Sequence, residues 1–270
     1  MIHETDSASI WYEQSGQGRD ILWLAGGDMP GSSWHPFQLP DFQDFRNTTL
    51  DARGVGQTVS HASPPWSIAE HAADAIALIE NHCEPPVFLA GLSMGSCIAQ
   101  EISLTRPDLV RAAVLMGACA RKVGLIDEWE AAEIALRRQG VELPADFAVV
   151  HYALLMYPAS VLGDPEVWAR VRPIVAQDYG HRDPASLAEQ WQACLDYDSL
   201  DRLPDCKVPL HVIAFSQDTQ TPPNHGRLIA DTAPMATLDV LEGLGHCSLY
   251  GHEPGMVNQC IRERFAGYGD

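Results

Sequence analysis

The chain is predicted to be an α/β protein: a mostly parallel central sheet flanked by helices, with four helices inserted before the last strands. Three observations predict this. Strand-like and helix-like segments alternate up to about residue 120. Strand signals then stop from 121 to 200. Alternation resumes near residue 209 and continues to the end.

The elements follow in order. Residues 9–13, 21–25 and 48–51 read as strands. Residues 67–83 carry apolar side chains at helical spacing: Ile68, Ala72, Ala75, Ile76 and Ile79. Residues 87–90 are an apolar strand, 96–106 a helix, and 112–116 another strand after the Arg106-Pro107 break. Within the insertion, 126–139, 145–157, 165–179 and 184–197 read as helices. Pro144, Pro165 and Pro184 fall at first-turn positions, whereas Pro173 is expected to kink or split the third helix. Strands at 209–215 and 237–241, with helices at 223–232 and 255–265, complete the pattern. The expected division is a core of 1–120 and 201–270, and a helical cap of 121–200.

Composition narrows the function. The 270 residues are 46% apolar and 20% charged, with a formal net charge of -19. That acidity argues against nucleic acid, which requires a basic footprint, and against an anionic membrane surface. No apolar run approaches membrane-spanning length, and no basic stretch followed by an apolar one opens the chain, so neither a membrane span nor a signal peptide is expected. The seven cysteines are odd in number and lack C-x-x-C spacing, which fits a reduced, cytoplasmic protein.

The most informative stretch is Gly91-Leu92-Ser93-Met94-Gly95, between an apolar strand and a helix. A G-x-S-x-G at that junction is a nucleophile elbow, whose tight turn demands almost no side chain two residues either side of the serine. A serine hydroxyl needs a base, and the base needs a group to fix its tautomer. Asp218 follows the strand 209–215, and His246 follows the last strand in Gly243-Leu244-Gly245-His246, the chain order such an elbow uses. Asp231 and Asp239 lie inside elements, and no acid follows the strand 112–116 until Asp127. His211 and His225 also read as lying inside elements. Two oxyanion donors are expected: the Met94 N–H and the Gly27 N–H of Ala25-Gly26-Gly27-Asp28. Cys97 and Cys247 neighbour Ser93 and His246 and read as packing residues.

These pieces resemble the α/β-hydrolase fold superfamily, in the capped subgroup similar to 3-oxoadipate enol-lactonases, small-molecule esterases and cofactor-free haloperoxidase-like enzymes. Arg106-Pro107-Asp108-Leu109-Val110, Asp218 with Pro222, and Asp51-Ala52-Arg53-Gly54-Val55-Gly56 add to the resemblance, which spans nearly the whole chain. Asp51 is usually structural in that setting. The sequence departs from the pattern at Ala25, where a histidine is usual, and at Ser96 and Phe215, where glycines are usual.

The expected activity is two-step hydrolysis of a small to mid-sized, partly apolar ester, lactone or thioester through an acyl-enzyme on Ser93, with no cofactor or metal. The same residues also suit C–C bond hydrolysis, acyl transfer or perhydrolysis, and a non-catalytic ligand-binding protein is the remaining alternative. Gly26, Trp129, Tyr157, Trp168 and Trp191 are candidate substrate contacts. Arg53, Arg121 and Lys122 lie near the expected site edge, where solvated surface is the leading reading and pairing with a substrate carboxylate the other. The oligomeric state is not legible.

Overall fold

The computed structural model describes residues 1–179 and 183–268. Its strands are β1 (Ile2–Glu4), β2 (Ala8–Ser15), β3 (Asp20–Leu24), β4 (Arg46–Leu50), β5 (Val59–Ser60), β6 (Val87–Leu92), β7 (Val110–Met116), β8 (Leu210–Phe215) and β9 (Ala236–Leu241). They form one sheet in the order β1-β2-β4-β3-β6-β7-β8-β9, with β5 paired to β2. Everything from β4 to β9 runs parallel, while β2 is antiparallel to β4, β1 and β5. β1 and β5 are too short to carry a readable alternation.

The central strands are buried on both faces, so they read as continuous apolar runs. Along β3 the side chains alternate: Ile21 and Trp23 join one core, Leu22 and Leu24 the other. The second core is closed by α1 (Ile68–His82) and α2 (Met94–Thr105). α1 starts with a capping box, in which the Glu70 N–H donates to Ser67 Oγ at 3.2 Å and the Ser67 N–H to Glu70 Oε2 at 2.8 Å. The first core is covered by α9 (Pro254–Ala266) and by the helices between β7 and β8.

Those helices are α3 (Leu125–Arg138), α4 (Ala145–Met156), α5 (Ala159–Gly163), α6 (Pro165–Tyr179) and α7 (Pro184–Leu195); α8 (Pro223–Thr232) follows β8. The four expected helices are joined by a fifth, α5, whose five residues are too few to show a helical period. Pro173 does not split α6: Val171 and Val175 are buried in the core while Pro173 faces outward, so packing holds the helix across the missing N–H. The chain enters and leaves this helical block at one place. Arg121 pairs with Asp198 as an antiparallel bridge, the Ser199 N–H donates to the Ala120 carbonyl at 2.9 Å, and the Arg121 guanidinium lies 2.9 Å from the Asp198 carboxylate.

Arg53 is not at a solvated edge. It is buried in a two-pronged ion pair with Asp74, Nε to Oδ2 at 2.6 Å and Nη2 to Oδ1 at 2.7 Å. Beside it, on α1, His71 is buried, and neither ring nitrogen has a partner among the described residues. Burial, reinforced by the Arg53 charge, pushes its pKa down to about 4 from the ordinary 6.5. Between those values the unfolded chain binds the extra proton, so stability falls as pH drops from about 6.5 toward 4. Urea unfolding should show His71→Leu reducing the loss between pH 7.5 and pH 5 by about 2 kcal/mol. An unchanged pH dependence would refute the assignment.

Candidate active site

The site forms where the sheet changes direction. From β3 the chain crosses to β4 on one side, and from β6 onward the strands add on the other. Loops leaving the carboxyl ends of β3 and β6 therefore part and leave a crevice. Gly26 and Gly27 follow β3, and Ser93 follows β6, with Leu24 opposite Gly91.

Ser93 holds φ 53° and ψ −116°, a sparsely populated backbone conformation for a non-glycine residue. It is the residue before α2, so that helix starts at Met94, two residues ahead of the expectation. A Cβ on Gly91 would overlap the Gly95 carbonyl, and one on Gly95 would overlap the Leu24 carbonyl. Strand, turn and neighbouring strand approach so closely that only hydrogens fit between them.

Asp218 sits in the turn after β8 with both oxygens fully engaged. Oδ1 accepts the N–H groups of Gln220 at 2.8 Å and Thr221 at 2.9 Å. Oδ2 accepts the Thr221 hydroxyl at 2.9 Å and stands 2.7 Å from His246 Nδ1. Burial alone raises the Asp218 pKa, but the His246 charge and the bonds from His246 and Thr221 outweigh it and hold the carboxyl below the usual range. The loop carrying His246 is pinned to α4, with the Cys247 N–H donating to the Met156 carbonyl at 2.9 Å. With Nδ1 engaged, Nε2 is the ring nitrogen left over. Ser93 Oγ and His246 Nε2 have no hydrogen-bond partner among the described residues, and both residues line one cavity. Hydrogen bonds between such side chains are often long or poorly aligned before a ligand binds.

That cavity measures about 30 Å³ and is lined by Gly26, Gly27, Ser93, Met94, Trp129, Glu130, Trp191 and His246, among others. Gly27 lies against the Trp191 ring, where an added Cβ would come within 3.3 Å. The Gly27 and Met94 N–H groups have no acceptor among the described residues. Gln190 of α7 fixes the glycine loop: its Oε1 accepts the Asp28 N–H at 2.6 Å and its Nε2 donates to the Arg53 carbonyl.

Two candidate contacts lie elsewhere. Tyr157 is buried and donates its hydroxyl to the Tyr250 carbonyl at 2.9 Å, and Trp168 packs on the outer part of the helical core. Neither lines the cavity. Lys122 is buried, 2.7 Å from Glu130 Oε1, and Arg121 is held by Asp198, so neither is a free surface charge. His211 is bound to Thr237 and Tyr268. Cys97 and Cys247 are buried, and the Cys97 thiol is pushed up by its hydrogen bond to Cys119 and by burial. No cluster of three or more His, Cys, Asp or Glu among the described residues could hold a metal. No helix among them is long and apolar enough to cross a membrane.

Thr221 and Gly117 are absent from the sequence-level set. Thr221 braces Asp218 and approaches His246 Nδ1 at 3.3 Å. Gly117 directly follows β7 at φ 51°, and a Cβ there would stand 2.9 Å from His246 Cε1. The only trace of it is a glycine directly after a strand. Gly117→Ala should displace the imidazole and lower kcat/KM about 100-fold, measured on p-nitrophenyl butyrate. A rate within threefold would show that the ring is not held there.

Residues 21–259 match the sequence profile of the alpha/beta hydrolase family. BpoC of Mycobacterium tuberculosis strain H37Rv, named as a candidate non-heme bromoperoxidase, is 29% identical over 265 residues, covering 96% of this chain and 98% of that protein. Its crystal structure superposes with a TM-score of 0.91 at 28% identity, over 97% of each chain. The 3-oxoadipate enol-lactonase 2 of Acinetobacter baylyi is 26% identical over 212 residues, covering 78% of this chain and 76% of that enzyme.

Proposed function

The chain belongs to the alpha/beta hydrolase family of enzymes, and on that footing we propose that it cleaves a small to mid-sized, partly apolar ester, lactone or thioester through an acyl-enzyme on Ser93. The observation that carries this is the 2.7 Å bond from Asp218 Oδ2 to His246 Nδ1, which leaves Nε2 as the base beside the Ser93 cavity. His246 takes the Ser93 proton as Oγ attacks the carbonyl carbon. The Gly27 and Met94 N–H groups hold the resulting oxyanion. The histidine then protonates the leaving oxygen or sulfur, and afterwards takes a proton from the water that releases the acid. Asp218 stabilises the transient imidazolium.

In this reading residues 121–200 are a cap over a core of 1–120 and 201–270. A cavity of about 30 Å³ accommodates one or two waters, whereas small-molecule sites measure roughly 300–1,000 Å³, so α3 and α7 must move outward to admit substrate. Seven cysteines, none of them in a disulfide, support a reducing compartment such as the cytosol.

The test is covalent labelling. An alkyl fluorophosphonate should add to Ser93 alone, located by mass spectrometry, with turnover of short p-nitrophenyl esters in parallel. No adduct and no turnover would favour a binding protein that kept the fold. Likeness to BpoC favours one second reading, in which hydrogen peroxide replaces water as acyl acceptor. Peracid formation from an ester and peroxide, at a rate exceeding that of hydrolysis, would select it.

A further inference from the structure

Glu130 and Trp129 are neighbours on α3, and both line the Ser93 cavity. Glu130 is 5% exposed. Its Oε1 accepts from the Lys122 ammonium at 2.7 Å, but its Oε2 is buried with no donor among the described residues. The Trp129 Nε1–H is likewise buried, with no acceptor among the described residues. Buried polar groups in folded proteins are nearly always hydrogen-bonded, so an orphan acceptor and an orphan donor on two adjacent residues of the cavity wall mark a missing partner. A hydroxyl is the small group that both donates and accepts. An ammonium satisfies only the carboxylate, and an alkyl chain neither. A carboxylate could accept from the Trp129 indole but would face the Glu130 carboxylate, with no Lys or Arg among the described residues lining the cavity and Lys122 already held by Glu130.

We propose that Glu130 Oε2 and the Trp129 indole N–H are a specificity element, selecting esters or lactones whose acyl portion carries a hydroxyl. This rests on the hydrolase reading for the placement of the acyl group, but binding alone tests it. Burial raises the Glu130 pKa and Lys122 opposes that; the pair holds the carboxylate in place while leaving one oxygen open.

The experiment uses the Ser93→Ala protein, whose Trp129 and Trp191 report cavity occupancy by fluorescence. The probes are methyl hexanoate, methyl 3-hydroxyhexanoate, methyl 6-hydroxyhexanoate, methyl 6-aminohexanoate and monomethyl adipate. One of the hydroxy esters should bind about 10-fold to 100-fold more tightly than methyl hexanoate, and monomethyl adipate more weakly than it. Adding Lys122→Met with Glu130→Met, which removes the ion pair as a unit, should bring the hydroxy-to-alkyl affinity ratio close to one. Equal affinities across the series mean that the orphan groups hold only water, and overturn the proposal. Preference for the amino ester or the adipate overturns it also. The affinities in Ser93→Ala decide the matter even if the triple variant fails to fold. Selective binding without turnover by the unaltered protein sinks the hydrolase reading alone, and turnover with unselective binding sinks this proposal alone.

Discussion

Ser93→Ala is expected to lower kcat for ester hydrolysis by about 10⁴-fold or more, with substrate affinity little changed. The effect is large because, in the proposed mechanism, the hydroxyl removed is the group that forms the acyl intermediate. Alanine keeps the Cβ, so the strained turn at φ 53° is tested with the same backbone demand as before. Gly91 and Gly95 still pack backbone against backbone. The variant should therefore unfold within about 1 kcal/mol of the parent, since no buried hydrogen bond to Oγ is lost. The Gly27 and Met94 N–H groups remain, so a residual rate above the uncatalysed reaction is expected. Activity within tenfold of the parent would mean that another group attacks the carbonyl.

Asp218→Asn is expected to cost about 10³-fold to 10⁴-fold in kcat. The direction follows from the four bonds around the carboxylate. Oδ1 accepts two backbone N–H groups, so the carbonyl oxygen of the new amide must take that position. The amide NH₂ then faces His246 Nδ1, where Oδ2 stood. That donor requires Nδ1 to accept, and the ring proton moves to Nε2. The nitrogen that should take the serine proton is then already protonated. Labelling of Ser93 by the fluorophosphonate should slow in parallel with ester turnover. Equal rates for the variant and the parent would show that the tautomer is set by something other than Asp218.

The sheet was legible because its central strands are buried on both faces and its helices repeat apolar residues at fixed spacing. The turn that carries Ser93 was legible because such a turn requires glycine on both sides, and the placement of Asp218 and His246 because each follows a late strand. What escaped was contact between segments distant in sequence. Thr221 acts through Asp218, and Gly117 through the space it leaves for His246. Gln190 joins α7 to two loops far away in the chain. None of these has a period or a motif. Arg53 and Lys122 read as solvated charges because their partners, Asp74 and Glu130, are only assigned once the helices pack. An aromatic-rich helical block did not reveal which rings face inward: Trp129 and Trp191 line the cavity, while Tyr157 and Trp168 pack within the block itself.

The meeting of Arg121 with Asp198 carries an evolutionary consequence. A stretch of chain whose two ends abut can be lengthened, shortened or exchanged while the strands on either side keep their pairing, since loop closure depends only weakly on length. Transplanting the corresponding stretch from the enol-lactonase should therefore transfer ligand preference provided that the graft keeps an acceptor where the Met156 carbonyl holds the His246 loop and a side chain where Gln190 holds the glycine loop.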